Sequence, residues 1–225
     1  MKLGESKIKD QLSIAIEHHK NKKYQLAEKL YKEILILNKD NLEANFHLGT
    51  LYSQLRKFNL ARPLLMKAED LNPMNPNIIL HIGNLFFSTG ELILALKYFE
   101  KVIQIQPKFT LAYFNKGIIL YNQKKHKDAI KCFQRVVELE PNNIDALNVL
   151  GIIWQELGEL QKSLSYLKTS INIAPNNLRV INTLLNFFKS IQLSNLSESN
   201  SSDLYKLFIF LFKKNSIDHN ALFNN

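Results

Sequence analysis

Gly49, Gly83, Gly117 and Gly151 stand 34 residues apart in an unbroken series, and no other feature restricts the fold of this chain so strongly. Ala27, Ala61, Ala95 and Ala129 keep the same step, with Ser163 next in line, and so do Pro73, Pro107, Pro141 and Pro175. Three residue types sharing one period mark a repeat architecture, in which each supersecondary unit buries its apolar face against the next. The repeats run 8–41, 42–75, 76–109, 110–143 and 144–177, after a short lead at 1–7 and before a partial sixth at 178–193. The chain of 225 residues has only 7 glycines and 6 prolines, too few for many tight hairpins, so helices are favoured. Four of those glycines hold the 34-residue site, Gly90 and Gly158 fall in the turns between helices, and only Gly4 is left over. No glycine-rich phosphate or dinucleotide loop can be assembled from that remainder.

Within each repeat the pattern predicts two helices. Leu48, Leu51, Tyr52 and Leu55 are three and four residues apart, which puts them on one helical face. A helical glycine costs up to about 1 kcal/mol relative to alanine, so its return at one place argues for a close helix crossing there. The prolines follow the second helix and stop it, Pro76 opens a first helix, and Pro63 falls early in a second one. This pattern resembles the tetratricopeptide repeat family. The third repeat shows it through Ile82, Gly83, Phe86, Gly90, Ala95, Phe99 and Pro107, and the fifth through Leu150, Gly151, Trp154, Gly158, Leu167 and Pro175. The resemblance implies an all-α fold, a right-handed superhelical solenoid of antiparallel helix hairpins. The first repeat departs from the pattern, with Ala15 in place of glycine, His18 in place of an aromatic residue and Lys39 in place of proline. A terminal repeat with one neighbour is expected to be atypical.

Composition removes several chemistries. The single cysteine, Cys132, allows no internal disulfide, which fits a reducing, cytoplasmic setting. No segment reaches the roughly 18 apolar residues that a membrane span requires, and the first residues resemble neither a secretory signal nor a lipid anchor. His18 and His19 are adjacent and point to different helical faces, so they do not form a metal site, and the carboxylates are dispersed. No catalytic residues, metal or cofactor are therefore expected, and the chain reads as a non-enzyme. The net charge of +9 collects partly in the turns, at Lys20, Lys22 and Lys23, at Arg56 and Lys57, and at Lys124, Lys125 and Lys127. Such an edge suits RNA or an acidic membrane surface. Glu91, Glu156 and Glu159 interrupt it, which argues against nucleic acid.

In the tetratricopeptide family the concave surface is lined by the first helix of each hairpin, and the resemblance carries that role to particular residues here. They are Phe46, His47, Thr50, His81, Asn84, Phe87, Phe114, Asn115, Tyr121, Asn122, Asn148, Gln155, Asn182 and Asn186, with Ser53, Leu80, Ile118, Ile152 and Lys189 in the same series. Leu80 and Ile118 equally suit a place in the core. Aromatic pockets interleaved with amides suit an extended peptide, because Asn can pair with both N–H and C=O of a backbone. Relatives that clamp a partner's terminal carboxylate carry lysine where this chain has Leu12, Phe46, Leu80 and Phe114, so that mode is not expected. The implied function is a protein interaction scaffold that binds a partner's peptide. The alternatives are a substrate-recruiting arm of a bacterial glycosyl-, sulfo- or methyltransferase, and binding through the basic edge.

After the partial sixth repeat, a polar linker at 194–202 precedes an apolar helix and tail at 203–225. Leu204, Phe208, Phe210 and Phe212 belong to a stretch that is apolar on all sides, which predicts docking on another domain or a second copy of the chain.

Overall fold

The computed structural model describes residues 2–190 and residue 209. Among the described residues every regular element is an α-helix. In order they are α1 (Lys2–Lys20), α2 (Tyr24–Leu37), α3 (Leu42–Gln54), α4 (Phe58–Leu71), α5 (Pro76–Ser88), α6 (Leu92–Ile105), α7 (Thr110–Asn122), α8 (His126–Leu139), α9 (Ile144–Glu156), α10 (Leu160–Ile173) and α11 (Leu178–Ser190). The chain divides into an N-terminal unit, Met1–Ile119, and a C-terminal unit, Leu120–Asn225. The expected linker at 194–202 and the helix carrying Leu204, Phe208, Phe210 and Phe212 lie outside the described residues.

In the N-terminal unit, α1 pairs with α2, α3 with α4 and α5 with α6, and each pair packs on the next. The first and second helices of a pair cross at the glycine site. A methyl group added at Gly83 would lie 2.7 Å from Cε1 of the fully buried Phe99, and one at Gly49 would lie 2.8 Å from Cγ of Leu65. Those distances leave no room for any side chain. The first hairpin has Ala15 at this place, itself fully buried. The unit's core runs through Ala27, Tyr31, Leu51, Ala61, Leu65, Ile79, Ile82, Ala95, Phe99 and Val102, all fully buried. Burial of each large side chain among these is worth about 1.5–3 kcal/mol. Helix α4 continues through Pro63, which stands six residues into it and leaves one backbone carbonyl of the first turn without its helical donor.

The C-terminal unit repeats the plan with one substitution that has a visible reason. Gly151 faces Leu167, whose Cδ2 would lie 2.5 Å from an added methyl. Ser163 stands where the four earlier repeats have alanine, and its buried hydroxyl donates to the Gly151 carbonyl at 2.7 Å. Leu164, Leu167, Ile171, Val180, Ile181, Leu184 and Phe187 form the core around α10 and α11. In α11 the register place of the crossing glycine holds Leu185, which is half-buried against that cluster.

Candidate functional site

Short helices position the candidate residues, and their starts are held by asparagine. The side chains of Asn41, Asn75 and Asn143 accept from backbone N–H groups in the first turns of α3, α5 and α9, and Asn177 does the same for Arg179 and Val180 in α11. These caps recur on the 34-residue step, and sequence analysis passed over them. Each such cap is worth about 1 kcal/mol.

At the first-helix face of the N-terminal unit, imidazole and aromatic rings form a run that continues into the core at the buried Tyr31 of α2. Tyr31 stacks on His47 with ring centroids 6.0 Å apart, His47 meets Phe46 at 5.2 Å, and Phe46 meets His81 edge-on at 5.2 Å. His47 and His81 thus share one surface with Phe46 between them. Burial pushes His47 down to about 4, reinforced by the neighbouring His19 and Lys20 side chains and not offset by Glu43, whose carboxylate lies 3.4 Å away. Burial also lowers His81, with His47 adding to it. Both rings are neutral at neutral pH and act as flat, weakly polar surfaces.

Next to the rings, Asn115 Nδ2 donates to Asn84 Oδ1 at 2.7 Å, and both residues are half-buried. Phe87 and Phe114 are half-buried as well. Thr50 and Leu80 are not on offer to a ligand. Thr50 is 5 % exposed, with its hydroxyl donating to the His47 carbonyl, and Leu80 is 4 % exposed in the core.

The corresponding face of the C-terminal unit has a different chemistry. Ile152, Gln155, Glu156, Gly158, Leu160, Thr183 and Asn186 line a shallow cleft. The Tyr121 hydroxyl donates to Glu156 Oε1 at 2.6 Å, and burial together with that carboxylate pushes Tyr121 up to about 12. Asn122, Asn182 and Asn186 are exposed. Asn148 is withdrawn at 2 % exposure, because its place on α9 turns toward neighbouring helices.

The turns between paired helices share one backbone geometry that the sequence hides under different residue types. Lys22, Arg56, Gly90, Lys124 and Gly158, spaced by 34 residues, all have positive φ, between 56° and 81°. In each turn the residue with positive φ donates its N–H three residues back, and the next residue donates five back, as Arg56 does to Ser53 and Lys57 to Tyr52. Glycine adopts this conformation freely, whereas the three cationic residues hold it at a cost.

Among the described residues no cluster of His, Cys, Asp or Glu is placed to hold a metal, and no helix is long and apolar enough to cross a membrane.

Comparison with known proteins agrees with the repeat geometry. Two tetratricopeptide repeat patterns match, one over residues 110–143 and the other over 42–75 and 76–109. No curated protein matches the chain. Among solved structures, PilF from Pseudomonas aeruginosa superimposes with a TM-score of 0.74 at 14% identity, covering 94% of this chain and 97% of that one. MamA from Desulfovibrio magneticus RS-1 gives 0.68 at 19%, covering 76% and 97%. YrrB, described as a TPR protein with an unusual peptide-binding site, gives 0.62 at 22%, covering 76% and 89%. With the hairpin, the crossing glycine and the closing proline recurring at the period those patterns describe, the chain carries tetratricopeptide repeats over residues 42–143 and has the fold of a tetratricopeptide-repeat protein.

Proposed function

We propose that the chain is a non-catalytic protein interaction scaffold and that the first-helix face of its N-terminal unit binds an extended segment of a partner protein. The Asn84–Asn115 pair carries this reading. One hydrogen bond joins the two amides, leaving the Asn84 NH₂ group and the Asn115 carbonyl oxygen, one donor and one acceptor, to match a peptide C=O and N–H. The half-buried rings of Phe46, Phe87 and Phe114 beside them supply apolar surface for alternate side chains. The peptide-binding site described for YrrB supports the reading by likeness of fold.

Peptides selected from a displayed random library on the full chain test it. Phe46→Ala and Asn84→Ala are each expected to weaken the selected peptides about tenfold, with the helical circular dichroism unchanged. Equal affinity of both variants for the same peptides would overturn the assignment.

A further inference from the structure

We infer that the turn edge of the N-terminal unit is a preformed anion-binding subsite, and that the partner segment bound on the adjacent face carries Asp or Glu beside its apolar residues. This inference rests on the peptide-binding reading above and specifies the chemistry of the peptide.

Lys22 and Arg56 hold left-handed backbone, with φ of 59° and 56°, at a turn position where Gly90 and Gly158 supply the same geometry without strain. Space does not demand a side chain there, since nothing lies within 4 Å of a methyl group added at Gly90 or Gly158. A strained cation kept where glycine would serve is a cost to be explained by what the cation does. Each strained residue is followed by a second lysine, Lys23 or Lys57, and Lys20 closes α1 just before the first turn. At the third turn the pattern inverts, because Gly90 precedes Glu91, and Glu91 is tied to Arg62 at 3.0 Å and to the Thr89 hydroxyl at 2.9 Å.

These five cations make no ion pair among the described residues, as Lys7, Lys9, Lys39, Lys97 and Lys108 make none, and they differ in being gathered at two turns one repeat apart. Lys29, Lys32, Arg62, Lys67, Lys101 and Lys116 each lie within 4.0 Å of a carboxylate. Lys20, Lys22, Lys23, Arg56 and Lys57 are all exposed, and among the described residues none makes such a pair. The Lys57 ammonium lies over the Tyr52 ring instead, 5.8 Å from its centre.

The edge is continuous with the ring run. His19, the last residue but one of α1, contacts both Tyr24 and Tyr31 and lies 2.9 Å from the Gln54 amide oxygen of the neighbouring first helix. Beneath that surface the fully buried Tyr31 stacks on His47. Phe46 lies on α3, whose C-terminal end carries Gln54 and leads into the Arg56 turn, so a segment seated on Phe46 that runs along α3 brings its flanking residues toward the cations. The face itself offers neutral rings and amides at that point, so charge selectivity has to come from the edge. Rigid turns, each closed by two backbone hydrogen bonds, hold the charges in place and spare part of the ordering cost that flexible lysines would incur.

Three pools of short synthetic peptides test this, sharing a randomised apolar-rich centre and flanked by glutamate, serine or lysine. They are captured on the immobilised full chain at about 0.05 M salt and again at about 0.5 M, where screening is nearly complete. The glutamate pool is expected to be retained about tenfold more than the serine pool at low salt, and equally at high salt. The decisive variant combines Lys22→Gly, Arg56→Gly, Lys23→Ser and Lys57→Ser. It removes four cations, relieves both strained turns and puts a good helix-capping residue at each following position. It should melt no lower than the wild type, lose the preference for glutamate flanks and keep its retention of the serine pool. Persistence of the glutamate preference in that variant would overturn the inference. Preferential retention of polyuridylate or phosphatidylserine vesicles over the glutamate pool would do the same, by assigning the edge to another polyanion. The peptide-binding reading fails separately, if Phe46→Ala with Asn84→Ala leaves the serine pool bound as before.

Discussion

The two units use the same hairpin and present opposite chemistries on their first-helix faces. In the N-terminal unit the face consists of the rings of His47, Phe46 and His81, backed by the buried Tyr31, with an amide pair at Asn84 and Asn115. In the C-terminal unit it consists of aliphatic and amide side chains around Ile152, Gln155 and Asn186, with a carboxylate at Glu156 held by the Tyr121 hydroxyl. The core positions behind these faces are closely alike. Repetition therefore fixes the scaffold residue by residue and leaves the exposed face free to diverge.

The largest expected effect tests where that scaffold stops repeating. Gly83 and Leu185 occupy equivalent places in the register, but only Gly83 faces a ring that a methyl group would strike. Gly83→Leu should destabilise the chain by about 3 kcal/mol, because the added side chain has to displace Phe99. Leu185→Gly should instead cost about 1–2 kcal/mol, through lost helix propensity and lost contact with the core around Leu184 and Phe187. Chemical denaturation of both variants measures the difference. A neutral or stabilising Leu185→Gly would mean that α11 is crossed as closely as α5.

The faces should differ next in binding. Phe46→Ala is expected to weaken selected peptides about tenfold and Ile152→Ala less than about threefold, since the ring offers the larger desolvated surface. Titrations by fluorescence anisotropy that gave the reverse order would move the principal site to the C-terminal unit.

Acid should then act through the N-terminal unit. The unfolded chain binds a proton at His47 near 6.5, whereas the folded chain does so only at about 4. Between those values the unfolded state binds more protons, so stability is complete above about 6.5 and declines as the pH falls toward 4. His81 is lowered in the same direction and adds to the decline. Glu28 and Asp40 are lowered carboxylates, Glu28 through Lys32 and Asp40 through Lys67, and they act below their ordinary range near 4.5 and 3.8. Melting curves at about pH 7 and pH 5 therefore isolate the histidines. His47→Gln should reduce the difference between the two curves, and an unchanged difference would show that the folded ring is freely protonated. The shifted group on the face of the C-terminal unit, Tyr121, is pushed up to about 12 and plays no part in this range.

Much of this was legible in the sequence, for reasons that differ by position. The crossing glycines, the alanines and the closing prolines could be read because sterics and backbone chemistry allow few substitutes there, as Phe99 over Gly83 shows. The asparagine caps at 41, 75, 143 and 177 keep the same step but the series is broken by Phe109, and asparagine is common enough in this chain, on the faces as well as at the helix starts, to hide it. Thr50 and Asn148 satisfied the spacing for the exposed face yet are buried. A face position on a helix flanked by two others is shaded by whichever neighbour has the bulkier side chain, and spacing alone does not carry that information. The pairing of Asn84 with Asn115, 31 residues away, depends on the approach of two helices and has no sequence signature.

The smallest effect concerns the turns, where sequence and geometry diverge most. Lys22, Arg56, Gly90, Lys124 and Gly158 share one backbone conformation, although only two of the five are glycine. Left-handed φ costs a residue with a Cβ about 1 kcal/mol, and glycine in turn gives up some of that gain through its greater freedom in the unfolded chain. Arg56→Gly in the N-terminal unit and Lys124→Gly in the C-terminal unit should each stabilise the chain by somewhat less than about 1 kcal/mol, and Gly158→Lys should destabilise it by a similar amount. Open space around Gly158 means that any penalty there reports backbone conformation alone. Equal gains at 56 and 124 would show that the strain belongs to the repeat itself. A gain at only one would place the strain in that unit's own packing, and the cations of the two edges would then need separate explanations.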